Sequence, residues 1–290
     1  MYLPAEPLQI QRRFVKVSRR HVHYRRAGSG PPLVLLHQSP TSSAEMASSI
    51  VAFAAQFTVI APDTPGYGWS DPLDCADPTM TDYASALAGF LETLGIERSG
   101  IFGSHTGAMI AAEFGLRYPE RVTAVVLDGY VVLTDAERED ILAHYFESAP
   151  PTGDGRHLAW YWSRIRDQVI FFPWYRKSRE ARMRFDVPPA AFLQPYLLDL
   201  LGAAAEGRPA YEAAFRYPAR KAALEFTAPT YLLNYTQDAI AHHPERLESF
   251  ASAVRRECLA DPETLQRRAS ELFSEFKDLK ENPVLPAEPT

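Results

Sequence analysis

Two glycines, Gly103 and Gly107, bracket His105 where an apolar run over 99–102 gives way to an Ala-rich run of helical character over 108–114. Small residues two positions either side of a central one let a strand turn sharply into a helix, and the turn pushes the central side chain out over the end of the sheet. A frame centred on Ser104 would need small residues at 102 and 106, where Phe102 and Thr106 stand. The pentapeptide 103–107 therefore predicts a strand, a tight bend and a helix in succession, with an imidazole at the apex.

The flanking sequence keeps that rhythm. Residues 32–37, 58–63 and 122–128 are short apolar runs without alternation, as expected of strands buried on both faces. Residues 79–94 form an amphipathic helix with Leu87, Phe90, Leu91 and Leu94 at helical spacing and Gly95 as its stop. Residues 13–28 alternate apolar and polar and read as an antiparallel hairpin. Strand character returns over 228–235, and a helix over 244–254, a short strand near 255–259 and a last helix over 262–276 complete the pattern. Strands alternating with helices imply an α/β fold with a mostly parallel, doubly wound sheet, whose ligands gather at the carboxyl ends of the strands. On that rim the sequence puts His37, Asp63, His105 and Asp128. Between 131 and 222 the rhythm breaks into a helical, Pro-punctuated, aromatic-rich stretch. The expected organisation is a core over 1–130 and 223–290, ending in a loose tail over 281–290, with a helical cap over 131–222 inserted between the sixth and seventh strands.

A chain of 290 residues can bury a sizeable core, and a net charge of −6 leaves no electrostatic footprint for nucleic acid. The basic stretch from Arg12 to Arg26 interleaves with Val15, Val17, Val22 and Tyr24, as on the solvated face of a hairpin. Cys75 and Cys258 make neither a disulfide framework nor a ligand set, which favours a reducing compartment. No charged-then-apolar leader pattern opens the sequence, and no apolar run approaches the ~18 residues of a membrane span. The expected location is the cytoplasm, away from membranes, with a homodimer left open.

These residues resemble the α/β-hydrolase superfamily, in the cap-bearing subgroup of haloalkane dehalogenases, epoxide hydrolases and carbon–carbon bond hydrolases. The pentapeptide matches the nucleophile elbow G-x-S-x-G. His37-Gln38-Ser39-Pro40 resembles the H-G-x-P oxyanion loop, 63–70 the D-x-P-G-x-G-x-S turn, and 118–122 the Y-P-E-R-V joint. The departures are as informative. The family places Ser, Cys or Asp at the elbow and a His after the last strand; here His105 holds the elbow, and the histidines at 21, 23, 37, 105, 144, 157, 242 and 243 leave none in the loop 260–263.

His105 is accordingly the candidate catalytic residue, an imidazole able to act as base or hydrogen-bond donor near neutral pH. The resemblance offers two carboxylates as its partner: Asp128, where dehalogenase-like members place the acid, and Asp238, the commoner position. Asp128 is slightly favoured because its strand should neighbour the elbow; either could instead cap a turn. The resemblance also implies an oxyanion hole from the backbone N–H groups of Ser39 and Thr106, with Gln38 in place of a glycine. Asp63 reads as structural, bonding its own turn. In the cap, an aromatic stripe is first of all core. The polar residues threaded through it point to one edge as a pocket roof, with His157, Trp160, Arg164 and Trp174 as substrate contacts. His242-His243 lacks a third ligand at metal spacing, and no metal or cofactor is expected.

Three functions fit. The first is hydrolysis of an ester, lactone or other activated carbonyl by water that His105 activates. The second is a cofactor-free lyase, isomerase or cyclase in which His105 removes a proton next to a carbonyl. The third is a receptor that binds without turnover. In each case the aromatic cap suggests a small, flat or apolar carbonyl compound.

Overall fold

The computed structural model describes residues 8–183 and 186–276. Among them, eight strands form one sheet: β1 (Gln11–Val17), β2 (Arg20–Ala27), β3 (Pro32–Leu36), β4 (Thr58–Pro62), β5 (Ser99–Ser104), β6 (Val122–Asp128), β7 (Thr230–Tyr235) and β8 (Val254–Leu259). Their spatial order is β1-β2-β4-β3-β5-β6-β7-β8. The β1–β2 hairpin and the β2–β4 pair are antiparallel, and every pair from β4 through β8 is parallel. Because β4 lies on one side of β3 and β5 on the other, the sheet reverses its direction of growth at β3. In open α/β sheets such a reversal opens a crevice at the carboxyl ends, and the flanking residues here are His37 and His105.

Alternation along the central strands explains the two layers. Val34, Leu36, Ile60, Ile101, Val125 and Leu127 point into one apolar cluster, while Leu33, Leu35, Val59, Phe102, Ala124 and Val126 point into the other. Helices α1 (Ala47–Phe53), α2 (Met80–Thr93) and α3 (Thr106–Arg117) follow β3, β4 and β5. The first cluster takes Leu87, Phe90 and Leu91 of α2 with the Ala-rich face of α3. The second takes Ile50 and Phe53 of α1. Thr79 caps α2 reciprocally: its own N–H donates to Asp82 Oδ2 at 2.8 Å, which satisfies an orphan donor at the helix start.

Between β6 and β7 stand α4 (Asp135–His144), α5 (Arg156–Gln168), the long α6 (Ala190–Arg216) and the single turn α7 (Ala219–Ala222). The first three share an aromatic core of their own around Tyr145, Trp174 and Phe215. The closing helix α8 (Pro262–Phe276) buries Leu265, Leu272 and Phe273 against the second cluster.

The expected helix over 244–254 is reduced to a 3₁₀ turn, His243–Arg246. Tertiary pairing explains the loss. Ala251 N–H donates to Ala223 O at 2.8 Å, and Val254 is drawn into register with Thr230. The short strand near 255–259 is correspondingly complete, paired with β7 along its whole length. The tail over 281–290 lies outside the described residues.

The bend after β5 depends on backbone proximity. A Cβ on Gly103 would stand 2.2 Å from Gly107 O, whereas one on Gly202, exposed in α6, would meet nothing within 4 Å. Gly103→Ala is therefore expected to destabilise the protein by about 1–3 kcal/mol. Gly202→Ala should stabilise it by about 0.5–1 kcal/mol. Urea denaturation should give the two shifts opposite signs.

Candidate active site

At the end of β5 the chain reaches His105 with φ 47° and ψ −105°, and α3 begins at the next residue. A positive φ on a residue with a Cβ is strained, and it persists only where the surroundings over-determine it. Here they do: His105 N–H donates to Asp128 O at 2.8 Å, and His105 O accepts from Ala108 and Met109 N–H at 3.0 and 3.2 Å. Gly107 lets α3 start against β3, since a Cβ there would stand 2.3 Å from Leu36 O.

The ring then has one direction to go. Its Nε2 lies 3.0 Å from Asp238 Oδ2, and its face rests on Gly129, where a Cβ would come within 2.9 Å of Nε2. Asp238 follows β7 and is fixed in turn, its Oδ1 accepting from Ile240 N–H at 2.7 Å. Because a carboxylate only accepts, the shared proton sits on Nε2 whether the ring is neutral or charged. Nδ1, which has no hydrogen-bond partner among the described residues, is thus a lone pair in the neutral ring and an N–H donor in the charged one. The side chain is 27% exposed, against 3% for Asp238, and it lines a cavity of about 460 Å³.

Three carboxyl groups set the charge of this imidazole. Burial alone would lower its pKa, but the charge of Asp238 and the hydrogen bond to it, with Asp128 and Glu45 further off, raise it to about 9. Asp238 is held below the usual carboxylate range: burial pushes it up, and the charge and hydrogen bond of His105 outweigh that. Asp128 rises to about 7, mainly through burial. Glu45 is raised as well, by burial, although Thr41 Oγ1 and Gln38 Nε2 both donate to it.

The preference for Asp128 as the partner of His105 is corrected by the strand register. Asp128 pairs with Ser104, so their side chains share one face of the sheet, and Ser104 Oγ donates to Asp128 Oδ2 at 3.2 Å. The carboxylate that reaches the ring's far nitrogen comes from the loop after β7, two strands from the elbow. Asp128 Oδ1 is buried without a hydrogen-bond partner among the described residues.

Gln38 lines the cavity, its amide donating to Glu45 and to Tyr196 OH at 3.3 Å. Ser39 and Thr106 are buried and stand outside the lining. Thr106 opens α3, whose first N–H groups have no acceptor within the helix. His37 is occupied structurally: Nδ1–H donates to Gln38 O and Nε2 accepts from Thr64 N–H. Asp63 accepts from His23, Ser43 N–H and Trp69 N–H, which holds its turn.

The four cap candidates are displaced from this cavity. Trp174 is buried, its indole N–H donating to Tyr145 O at 3.0 Å, and Trp160 packs edge-on against it. Trp174, in the turn after α5, belongs to the cap's own core, and Trp160, from the helical stripe, is spent packing against it. His157 accepts from Thr152 N–H at the start of α5, and Arg164 faces a different cavity. The aromatic lining is made instead by Tyr145, Phe172, Phe192, Tyr196, Tyr211 and Tyr235; Phe192 and Tyr196 stack one turn apart on α6, and the others come from segments distant in the sequence. Among the described residues no cluster of His, Cys, Asp and Glu could hold a metal ion, and no helix is long and apolar enough to cross a membrane.

A family model described as alpha/beta hydrolase fold matches residues 31–265. A 2-hydroxy-6-oxononadienedioate/2-hydroxy-6-oxononatrienedioate hydrolase of Paraburkholderia phymatum is 42% identical over 113 residues, 37% of this chain and 39% of that protein. Haloalkane dehalogenase 2 of Mycobacterium tuberculosis is 32% identical over 118 residues, 41% of each chain. These matches span about two fifths of the relatives' length. In three dimensions an epoxide hydrolase from Vigna radiata superposes with a TM-score of 0.70 at 16% identity, covering 92% of this chain and 98% of that one. Epoxide Hydrolase A from Mycobacterium thermoresistibile gives 0.68 at 21%, covering 93% and 98%.

If Asp238 is the group that holds the proton on His105, Asp238→Asn should lower the ring's titration midpoint from about 9 by more than about 1 unit. Asp128→Asn should lower it by less. Nitrogen-15 NMR titration of the imidazole reads both, and an unmoved midpoint in Asp238→Asn contradicts the assignment.

Proposed function

The chain belongs to the alpha/beta hydrolase fold family, and from that premise we propose that it is a hydrolase in which the His105–Asp238 pair activates water against an ester, lactone or similarly activated carbonyl. The supporting observation is the hydrogen bond from Nε2 to a buried carboxylate. It leaves Nδ1 as the basic nitrogen of a ring that borders the cavity. In the proposed step a water oxygen bonds to the carbonyl carbon as its proton passes to Nδ1. The donors the family resemblance implies for the resulting oxyanion are the backbone N–H groups of Ser39 and Thr106, both buried next to the cavity-lining Gln38 and His105. Collapse returns the proton from Nδ1 to the departing oxygen, so no covalent enzyme intermediate forms.

The magnitudes bound the substrate. General base catalysis contributes about 10²–10⁴ and an oxyanion donor about 10²–10³, together about 5–10 kcal/mol of barrier. That is at or below the low end of enzymatic acceleration, so the substrate must be activated or strained. A cavity of about 460 Å³ walled by tyrosine and phenylalanine suits a flat aromatic compound.

One observation favours a second reading. A base whose conjugate acid titrates near 9, set in an apolar cavity, is also suited to removing a proton from carbon next to a carbonyl. Isotopes separate the two. Hydrolysis in oxygen-18 water labels the acid product, whereas an enolate-forming reaction exchanges substrate hydrogen with deuterated solvent.

The base reading fixes the sign of the pH dependence. The active form is the deprotonated ring, so kcat/KM on an aryl ester or lactone should rise with pH and level off above about 9. His105→Ala should lower it by about 10²–10⁴-fold. Full activity in that variant, or a rate that falls as pH rises through 9, would sink the base assignment.

A further inference from the structure

Arg164 is 5% exposed, yet among the described residues no carboxylate lies within salt-bridge distance of it. The acid that helical spacing would offer, Asp167, is already taken by Arg166 at 2.8 Å and Lys177 at 2.7 Å. What Arg164 has instead is neutral: Nη1 donates to Gln168 Oε1 at 2.8 Å, and the guanidinium lies over the rings of Trp174 and Tyr145, 5.0 and 5.7 Å from their centroids. Aromatic faces and one amide orient a cation without neutralising it, and an uncompensated buried charge is costly.

Arg164 borders a second cavity of about 300 Å³, between α5, α6 and the loop that follows α4. Its apolar wall includes Tyr67, Phe146, Tyr161 and Leu200. Two other charged residues border it. Glu147 is exposed, and Arg208 is paired with Glu212 at 2.7 Å. Tyr211 is common to this cavity and the one beside His105, and Gln168 connects Arg164 to the latter.

We propose that Arg164 is the anchor of an anion site in this second cavity, one that takes the carboxylate of an organic acid with an apolar body. Nε and Nη2 have no hydrogen-bond partner among the described residues, and a guanidinium edge matches the two oxygens of a carboxylate. A single unneutralised cation calls for a monoanion, and the apolar wall calls for a hydrocarbon group behind it. The site is argued without reference to turnover at His105, so its test reads binding.

Calorimetric titration with sodium phenylacetate and with neutral phenylacetamide tests it. The wild-type protein should bind the acid at least about 10-fold more tightly than the amide, the scale of one charge-assisted hydrogen-bonded pair. Arg164→Gln should remove that preference while leaving amide binding unchanged. Arg164→Lys, which keeps the charge over Trp174, should retain part of it and serves where the Gln variant fails to fold. His105→Ala should leave the preference intact. Equal binding of acid and amide by the wild type, an acid preference that survives in folded Arg164→Gln, or its loss in His105→Ala each overturns the proposal, the last by moving the anion to the other cavity.

Discussion

The contact between His105 Nε2 and Asp238 is the interaction on which the site depends, because it gives a strained backbone conformation a fixed side-chain direction. A residue at φ 47° could swing its ring along the crevice or into it. Asp238 removes that choice. It is itself tied to the N–H of Ile240, and Gly129 leaves only enough room for the ring to lie flat. The elbow, the loop after β7 and the loop after β6 thus agree on one orientation, and each would lose a partner if the ring turned.

The same contact organises the electrostatics. Three carboxyl groups and one imidazole share a poorly hydrated space, and they cannot all be charged at little cost. Asp238 keeps its charge because the imidazolium neutralises it. Asp128 and Glu45 are pushed up by burial, and the charge of His105 and the hydrogen bond from Ser104 offset that only in part at Asp128, which rises to about 7. Glu45 is held against Gln38 and Tyr196, so the loop after β3 and the cap helix α6 are joined through it; Ser42 Oγ reinforces the joint by donating to Asp199 at 2.9 Å. The cap is therefore tied to the same loop that would supply the oxyanion donor Ser39.

The fold was legible in the sequence because its signals are local. Buried parallel strands read as unbroken apolar runs, and the bend around His105 announced itself through two glycines whose missing Cβ atoms are each required by a carbonyl about 2.2–2.3 Å away. The site was legible only as far as such signals reach. His105 and Gln38 lie beside recognisable turns, whereas the choice between Asp128 and Asp238 depended on strand register, which no residue type encodes. In the cap, Trp160 has helical spacing and Trp174 follows in the turn after α5, and both are spent on the aromatic cluster between the cap helices. Tyr196 and Tyr235, which do face the cavity, stand in runs with no distinguishing pattern, so only the crossing of α6 over the sheet reveals them.

The position of Asp238 also bears on the proposed reading, in which an imidazole takes the elbow and no histidine follows the last strand. In the familiar arrangement an acid after the seventh strand would orient a histidine, and that histidine would serve a short nucleophile at the elbow. Here the loop 260–263 supplies no histidine, and Thr236 Oγ1 closes it by donating to Ala260 O at 3.1 Å. The imidazole at the elbow is long enough to reach the acid directly, at 3.0 Å. On the proposed reading the relay is shortened: the carboxylate still orients an imidazole, but the nitrogen that would have activated a side chain is left for water or for a carbon acid. On that reading covalent capture is given up and proton transfer is kept, which would make an activated carbonyl the substrate the proposed site calls for.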